Sequence, residues 1–235
     1  MDIHPADSFV HFYEILATGN YLIFRANKPD KGTELFFLDE QNNHAITSLD
    51  FVTNDLSSYP RAFRAEDNYF YFKGSQNGVD NYFQSDGSTS NTELVQDSVE
   101  GEDYPAFSFG DSLYFFTQDV NTSYSWDSLW LTNMNTGIKE YVEIDQSIEH
   151  YRGMMKFNKQ LFVAAKTSNS GLVLYKLGHN TQVVDSIGVI FGSYESIFDN
   201  ILETSGGNFI FNTGSVVWLF EPSGNKMKML MDSVS

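Results

Sequence analysis

The sequence has no cysteine, only 5 prolines, and only 14 lysines and arginines against 31 aspartates and glutamates. Without cysteine there is no disulfide and no thiolate metal site, and no motif indicates a cofactor. The formal net charge of −17 repels phosphate backbones and anionic lipids. We therefore expect neither nucleic acid nor a membrane surface as a partner.

Long apolar runs are also missing. No stretch approaches the roughly 20 residues that a membrane-spanning helix needs, so we expect no membrane insertion. The start, MDIHPADSFVHF, lacks the basic region and apolar stretch of a signal peptide. We expect part of a larger secreted or cell-surface protein, with a cytoplasmic protein as the alternative, and we expect a monomer.

Aromatic residues are abundant, with 21 phenylalanines and 13 tyrosines. Strand-forming residues alternate with short stretches of Asn, Asp, Ser, Thr and Gly, which predicts an all-β chain with many turns.

The strands recur with a fixed period. A motif of a small polar residue followed by alternating aromatic and apolar residues has its second position at 21, 69, 113, 161 and 208. A second series has its third position at 36, 83, 130, 175 and 218. Both series give a period of about 47 residues, and five copies fill the 235-residue chain.

This period, with four strands in each copy, is typical of a β-propeller blade. The run Tyr69-Phe70-Tyr71-Phe72 is apolar on both faces, as stacked blades require. We predict one domain over residues 1–235, a five-bladed β-propeller of four-stranded antiparallel blades. The predicted blades are approximately residues 9–50, 57–97, 104–145, 151–187 and 194–232.

Two acidic features admit both a structural and a functional interpretation. Asp86-Gly87 could belong to a calcium loop, but serines occupy the positions where carboxylates would alternate, which favours a hairpin turn. An aspartate also ends the outer strand of four copies, and turn capping is favoured there over ligand binding. These are Asp50, Asp97, Asp145 and Asp232.

In the second copy, NYFQSDGS followed by TELVQD resembles the ELWxxDGT repeat family of bacterial, often cell-surface or secreted, proteins. The third copy keeps Leu129-Trp130 and Asp145, and the first keeps Glu34-Leu35 and Asp39. This resemblance implies a propeller and no defined activity. The size is also similar to that of five-bladed lectins of the tachylectin-2 type, a likeness of architecture only.

The candidate ligand-binding residues are aromatic. A tyrosine precedes the inner strand in four copies, at Tyr59, Tyr104, Tyr151 and Tyr194. These rings could stack on sugars in the clefts between blades, or they could simply pack between blades with their hydroxyls at the rim. Trp126 lies in the longest predicted hairpin, residues 117–127, and is a further candidate contact.

The enzymatic alternative is a five-bladed glycosidase with two carboxylates on inner strands. The inner strands of copies two to four read RAFRA, PAFSF and GMMKF, without an acid. Glu14, Asp199 and Glu203 remain as candidates in the first and fifth copies. No spacing of His, Asp and Glu indicates a metal site, and we expect a protein that is not an enzyme.

Together these features predict a ligand-binding or scaffold propeller. Carbohydrate is the expected ligand, a protein partner is the alternative, and glycoside hydrolysis is the third hypothesis.

Overall fold

A computed structural model describes residues 14–18, 21–28, 32–49, 57–66, 69–97, 106–117, 128–157, 159–169, 171–178, 184–190, 201–204, 206–213, 216–224 and 226–232. Within these ranges, twenty β-strands form five four-stranded sheets. In these ranges the only helical elements are two 3₁₀ turns, Thr89–Asn91 and Pro222–Gly224. No helix in this part of the chain is long and apolar enough to cross a bilayer.

In every sheet the strands are neighbours in chain order. The first sheet has β1 (Ile15–Thr18), β2 (Tyr21–Lys28), β3 (Gly32–Asp39) and β4 (Ala45–Leu49). The second has β5 (Arg61–Glu66), β6 (Tyr69–Gln76), β7 (Val79–Ser85) and β8 (Glu93–Gln96). The third has β9 (Phe107–Phe109), β10 (Ser112–Thr117), β11 (Ser128–Asn133) and β12 (Lys139–Tyr141).

The fourth sheet has β13 (Ile148–Phe157), β14 (Gln160–Thr167), β15 (Gly171–Leu177) and β16 (Val184–Ile190). The fifth has β17 (Ile201–Glu203), β18 (Phe209–Thr213), β19 (Val216–Glu221) and β20 (Lys226–Asp232).

The predicted all-β chain and its repeating strands are confirmed. The first aromatic series falls on β2, β6, β10, β14 and the start of β18, and the second on β3, β7, β11, β15 and β19. The predicted limits 151–187 of the fourth copy are too narrow. Strand β13 begins at Ile148, and β16 stays paired with β15 as far as Leu172 opposite Ile190.

The chain divides into two compact units, and the division falls within the third sheet. One unit comprises Met1–Phe115 and Thr132–Lys139, and the other comprises Phe116–Leu131 and Glu140–Ser235. The single domain and the closed five-bladed ring remain predictions.

In the first unit, the first and second sheets share one apolar cluster. Its buried members are Ile23, Leu35, Phe37, Leu49, Phe63, Phe70, Phe72 and Phe83. Phe24 and Phe36 face away from this cluster, with their rings stacked 5.6 Å apart, and pack with Ala26. Adjacent residues of one strand are therefore buried on opposite faces of the first sheet. In the run for which burial was predicted, Phe70, Tyr71 and Phe72 are buried, but Tyr69 is 43% exposed.

In the second unit, the fourth and fifth sheets share another cluster. Its buried members are Met155, Phe157, Phe162, Ala164, Leu172, Leu174, Phe209, Phe211, Val216, Trp218 and Phe220. Phe162 meets Phe220 edge to face at 5.2 Å, a geometry that aromatic rings favour. Each unit therefore has an aromatic core of its own.

The Asp86-Gly87 stretch forms a turn. The Asp86 carboxylate accepts hydrogen bonds from Ser88 N at 2.9 Å, Ser88 Oγ at 2.8 Å and Asn91 Nδ2 at 2.6 Å. Gly87 has φ +100°, and a side chain there would lie 3.2 Å from the ring of Tyr21. The favoured hairpin interpretation is confirmed.

The aspartates predicted at outer-strand ends behave differently from one another. Asp145 caps a turn, since its Oδ1 accepts from Ser147 N at 2.8 Å. Asp97 instead accepts from the side chain of Gln96 at 3.3 Å. Asp50 and the side chain of Asp232 lie outside the described residues.

Candidate ligand-binding site

Residues 57–63 lead from the first sheet into β5 and contain Tyr59, one of the predicted ligand contacts. Tyr59 is 54% exposed. Its φ is +43°, and that of Ala62 is +55°. Positive φ is unfavourable for residues other than glycine, and such strain persists only where the surroundings impose it. Two such residues within four positions therefore indicate a segment that is held in place.

One set of anchors comes from β3. Ser58 donates from Oγ to Glu34 at 2.6 Å and from its amide to the same carboxylate at 3.2 Å, and both residues are fully buried. Thr33 N donates to Ser57 Oγ at 2.8 Å, and Tyr59 N donates to the Thr33 carbonyl at 3.2 Å. The backbone immediately before the exposed ring is thereby fixed.

A second anchor is Glu14, just before β1. Its carboxylate accepts from Ala62 N at 3.0 Å and from Phe63 N at 2.8 Å. Glu14 was a candidate for glycosidase chemistry, but here both of its oxygens hold backbone amides of the strained segment. This geometry makes Glu14 a positioning residue for the segment that carries Tyr59.

An open pocket of about 340 Å³ lies beside Tyr59, lined also by Arg25, Arg61, Ser75 and Asp80. Arg61 donates to the Asp80 carboxylate at 2.5 Å and to the Tyr59 carbonyl at 3.0 Å. Lys73, whose side chain has no exposed surface, places Nζ 3.5 Å from the same Asp80 oxygen. The pocket thus combines one exposed aromatic ring with guanidinium, carboxylate and hydroxyl groups, and Arg61 and Asp80 hold each other in place.

The charge of this pocket contrasts with that of the whole chain. Of the 14 lysines and arginines, Arg25 and Arg61 line the pocket and Lys73 contacts its lining. Among the lining residues that the structure describes, Asp80 is the one carboxylate. Glu14 and Glu34 hold the segment beside it, so groups of both charge signs meet at this pocket in a protein of net charge −17.

Tyr151 occupies a position like that of Tyr59 in the repeat, but it belongs to the core. It is 2% exposed, its ring stacks on Phe116 at 5.4 Å, and its hydroxyl donates to the Val142 carbonyl at 3.5 Å. Burial raises the pKa of this hydroxyl well above its ordinary value. Tyr151 therefore presents no ring face to a ligand, and the packing interpretation fits it.

The structure does not bring the predicted site residues together. Tyr104, Trp126, Tyr194 and Asp199 lie outside the described residues, as does the side chain of Glu203. Of the predicted contacts, Tyr59 alone is described in the pocket. The sequence-based prediction missed Arg25, Arg61, Ser75 and Asp80, and one available signal was a lysine, Lys73, inside the apolar strand YFYFKGSQ.

A second pocket, of about 230 Å³, lies in the second unit. Its described lining residues, none of them charged, are Gln160, Gly206, Gly207, Asn208, Pro222 and Ser223. In the described ranges no group of three or more His, Asp or Glu side chains is arranged to hold a metal ion.

No family model and no curated protein matches the chain. Among solved structures, it is similar to TolB from Acinetobacter baumannii at 14% identity and a TM-score of 0.52, over 89% of this chain and 51% of that one. It is similar to an oligogalacturonate lyase in complex with manganese at 8% identity and a TM-score of 0.58, over 92% and 63%.

A third similar structure is the extracellular domain of a one-component system from B. thetaiotaomicron, at 13% identity and a TM-score of 0.55, over 97% and 29%. The chain thus spans between 29% and 63% of the lengths of these proteins. At such identities the likeness concerns the fold alone. The chain has a propeller-like, all-β fold.

Proposed function

We propose that this chain is a non-enzymatic propeller module, in the predicted five-bladed form, that binds carbohydrate in the pocket beside Tyr59. The observation that carries the proposal is an exposed aromatic ring on a strained, anchored segment next to fixed hydrogen-bonding groups. A sugar ring has an apolar face that can stack on Tyr59, and hydroxyls that can bond to Arg61, Asp80 and Ser75. A volume of about 340 Å³ admits a small ligand and lies in the ordinary range of binding pockets.

The described carboxylates near the pocket support binding over hydrolysis. Asp80 contacts Arg61 and Lys73, and Glu14 accepts from two backbone amides. A glycosidase needs one carboxyl group that donates a proton and a second that acts as base or nucleophile. Asp80 and Glu14 are both engaged in these contacts, so neither is placed to act as proton donor, base or nucleophile.

The test is a glycan-array screen of the wild-type protein, followed by titration of the best glycan against the Tyr59→Ala variant. Loss of a stacking ring costs about 1 kcal/mol, so we expect affinity to fall about fivefold to tenfold. Tyr69→Ala is the matched control, because Tyr69 is also exposed, at 43%, and does not line the pocket. Equal losses in both variants, or glycan binding unaffected by Tyr59→Ala, would overturn the assignment of the site.

The protein-partner alternative predicts a different result. A propeller that binds only a protein would give no signal on the array. Cleavage of a chromogenic glycoside would contradict the non-enzymatic proposal directly.

A further inference from the structure

We propose that the sugar beside Tyr59 is recognised through two free hydroxyls on adjacent ring carbons, one bound by Asp80 and the other by Ser75. This inference rests on the proposed function, because it specifies the ligand of the same pocket. It starts from two oxygen atoms of lining residues, Asp80 Oδ1 and Ser75 Oγ. Neither oxygen has a hydrogen-bond partner among the residues that the structure describes.

Asp80 is held in place through its other oxygen. Arg61 and Lys73 place their nitrogens 2.5 Å and 3.5 Å from Oδ2, so Oδ1 remains as an acceptor on an oriented carboxylate. The side chain of Asp80 is 33% exposed, which leaves it accessible to a ligand. A carboxylate accepts hydrogen bonds and donates none. Oδ1 therefore suits a ligand group that donates, such as a hydroxyl.

Ser75 lies beside Asp80, because the two residues are directly opposite each other in the pairing of β6 with β7. The side chains of such a pair stand on one face of the sheet, with their Cβ atoms about 4.5–5.5 Å apart. A serine hydroxyl can both donate and accept. A carboxylate oxygen and a hydroxyl at this spacing can bind two neighbouring hydroxyls of one sugar ring, whereas an isolated hydroxyl would use only one of them.

Both residues are also tied to the segment that carries the aromatic ring. Ser75 N donates to the carbonyl of Ser58, the residue before Tyr59, at 2.6 Å. Arg61 donates both to the Tyr59 carbonyl, at 3.0 Å, and to Asp80. The position of the ring relative to the two oxygens is therefore set by the folded protein. The hydroxyls of a sugar lie at the edge of its ring, so a sugar stacked on Tyr59 can direct two of them to Asp80 and Ser75.

The experiment compares ligands that differ by one hydroxyl. The probes are the methyl glycosides of mannose, galactose and glucose, each with its series of monodeoxy and monodeoxyfluoro derivatives. Titrations of the intact chain followed by NMR measure the affinities. For the best glycoside, we expect two adjacent hydroxyls to be required. Loss of the one that donates to the carboxylate should weaken binding about tenfold or more, and loss of the other about threefold to tenfold.

The fluorine derivatives test the direction of the hydrogen bond to Asp80. Replacing the first hydroxyl by fluorine should weaken binding as much as deleting it, because fluorine cannot donate to a carboxylate. Asp80 itself is left intact, since its Oδ2 contacts Arg61 and Lys73. This part of the experiment uses only the wild-type protein and is independent of the folding of any variant.

Ser75→Ala identifies the hydroxyl that meets the serine. The parent glycoside should bind this variant about threefold to tenfold more weakly. Deletion of the matching hydroxyl should then cost nothing further, because the contact is already absent, while deletion of the hydroxyl that donates to Asp80 should keep its full cost. Ser168→Ala is the matched control, since Ser168 is an exposed serine in the hairpin between β14 and β15, and it should change no affinity. Far-UV circular dichroism verifies that both variants are folded.

The outcomes separate this inference from the proposed function. If a glycoside binds but tolerates deletion of every single hydroxyl, or requires two that are not adjacent, the inference is overturned and the proposed function stands. The same holds if the array yields a ligand but none of these glycosides binds. Losses from Ser75→Ala that add to the loss from every deleted hydroxyl would overturn the role of Ser75. If no glycan binds on the array or in titration, both proposals fail.

Discussion

Asp39, Asp86 and Asn133 occupy one position of the repeat, 47 residues apart. Asp39 and Asn133 end their strands and Asp86 follows directly after β7. Each accepts hydrogen bonds from the turn that follows. Asp39 accepts from Gln41 N at 2.9 Å, and Asn133 accepts from Asn135 N at 3.0 Å. Because the acceptor oxygen is common to Asp and Asn, the turn survives although the residue changes.

The charge of Asp86 matters in addition to its oxygen. Burial is the largest single influence and raises its pKa, but hydrogen bonds from Asn91 and Ser88 together outweigh it, so the pKa lies below its ordinary value. A depressed folded-state pKa stabilises the fold above the unfolded value of about 3.9. This contribution is lost as pH falls through the folded-state pKa.

For Asp86→Ala we therefore expect the free energy of unfolding at pH 7 to fall by about 1–2 kcal/mol, since several turn hydrogen bonds are lost. The deficit relative to wild type should shrink as the pH falls below about 4. Urea unfolding over a series of pH values measures it. Asp86→Asn is the control, which should cost less because the acceptor remains as it does at Asn133; a pH-independent deficit for Asp86→Ala would contradict this account.

At the residue scale, local chemistry was predictable and exposure was not. The Asp-Gly turn follows from neighbouring residues, so the sequence was sufficient to favour a hairpin. Tyr59 and Tyr151 look alike in the repeat, but one is exposed and the other stacks on Phe116. That difference depends on which side chains surround each ring, and those come from distant parts of the chain.

Four of the residues that line the pocket lie on four different strands, which explains why the sequence alone did not predict the pocket. Arg25 is on β2, Arg61 begins β5, Ser75 ends β6 and Asp80 is on β7. These positions are brought together by the pairing of β6 with β7, where Ser75 faces Asp80, and by the anchoring of residues 57–63 to β3. The aromatic periodicity was sufficient to predict where strands occur. It could not predict which residues lie next to the end of each strand.

The anchored segment gives a prediction at this scale. In Glu14→Gln one side-chain oxygen can still accept a hydrogen bond from a backbone N–H. The new NH2 group is a donor, so it cannot accept from the second backbone N–H. We expect the free energy of unfolding to fall by about 1–3 kcal/mol, and binding of the best array glycan to weaken although Glu14 is not in the pocket lining. Urea unfolding and calorimetric titration measure the two effects.

Glu93→Gln is the matched control for Glu14→Gln, since Glu93 is exposed on β8. The control should leave both quantities unchanged. If Glu14→Gln also left the free energy of unfolding and the glycan affinity unchanged, the proposed anchoring role of this carboxylate would be contradicted.

At the scale of the whole molecule, the period of about 47 residues predicted the strands and sheets well. It could not predict the division into two compact units, or that strands of the fourth sheet extend beyond the limits expected from the repeat. Repeats of similar sequence need not have similar packing. In both units the core consists of aromatic rings contributed by two neighbouring sheets. Phe72, for example, has no exposed surface and stacks between Phe70 at 5.5 Å and Phe83 at 5.3 Å.

We predict that Phe72→Ala and Phe211→Ala each lower the free energy of unfolding of their own unit by about 3–5 kcal/mol. All three tryptophans, at 126, 130 and 218, fall in the second unit. Phe211→Ala should therefore shift the tryptophan-fluorescence transition in urea. Phe72→Ala should shift the circular dichroism transition, and it should shift the fluorescence transition by a smaller amount. Identical shifts of both signals by Phe72→Ala would show that the chain unfolds as one cooperative body.

The strained segment at residues 57–63 also has a consequence for conformational entropy. Ordering one residue of a mobile loop costs about 1–2 kcal/mol, whereas a ligand with millimolar affinity gains only about 4 kcal/mol in total. Such a ligand could not order seven residues by itself. In this protein Glu14, Glu34 and Thr33 hold the segment in the folded state, so that the proposed sugar ligand, even one of low affinity, would meet a Tyr59 ring already in place.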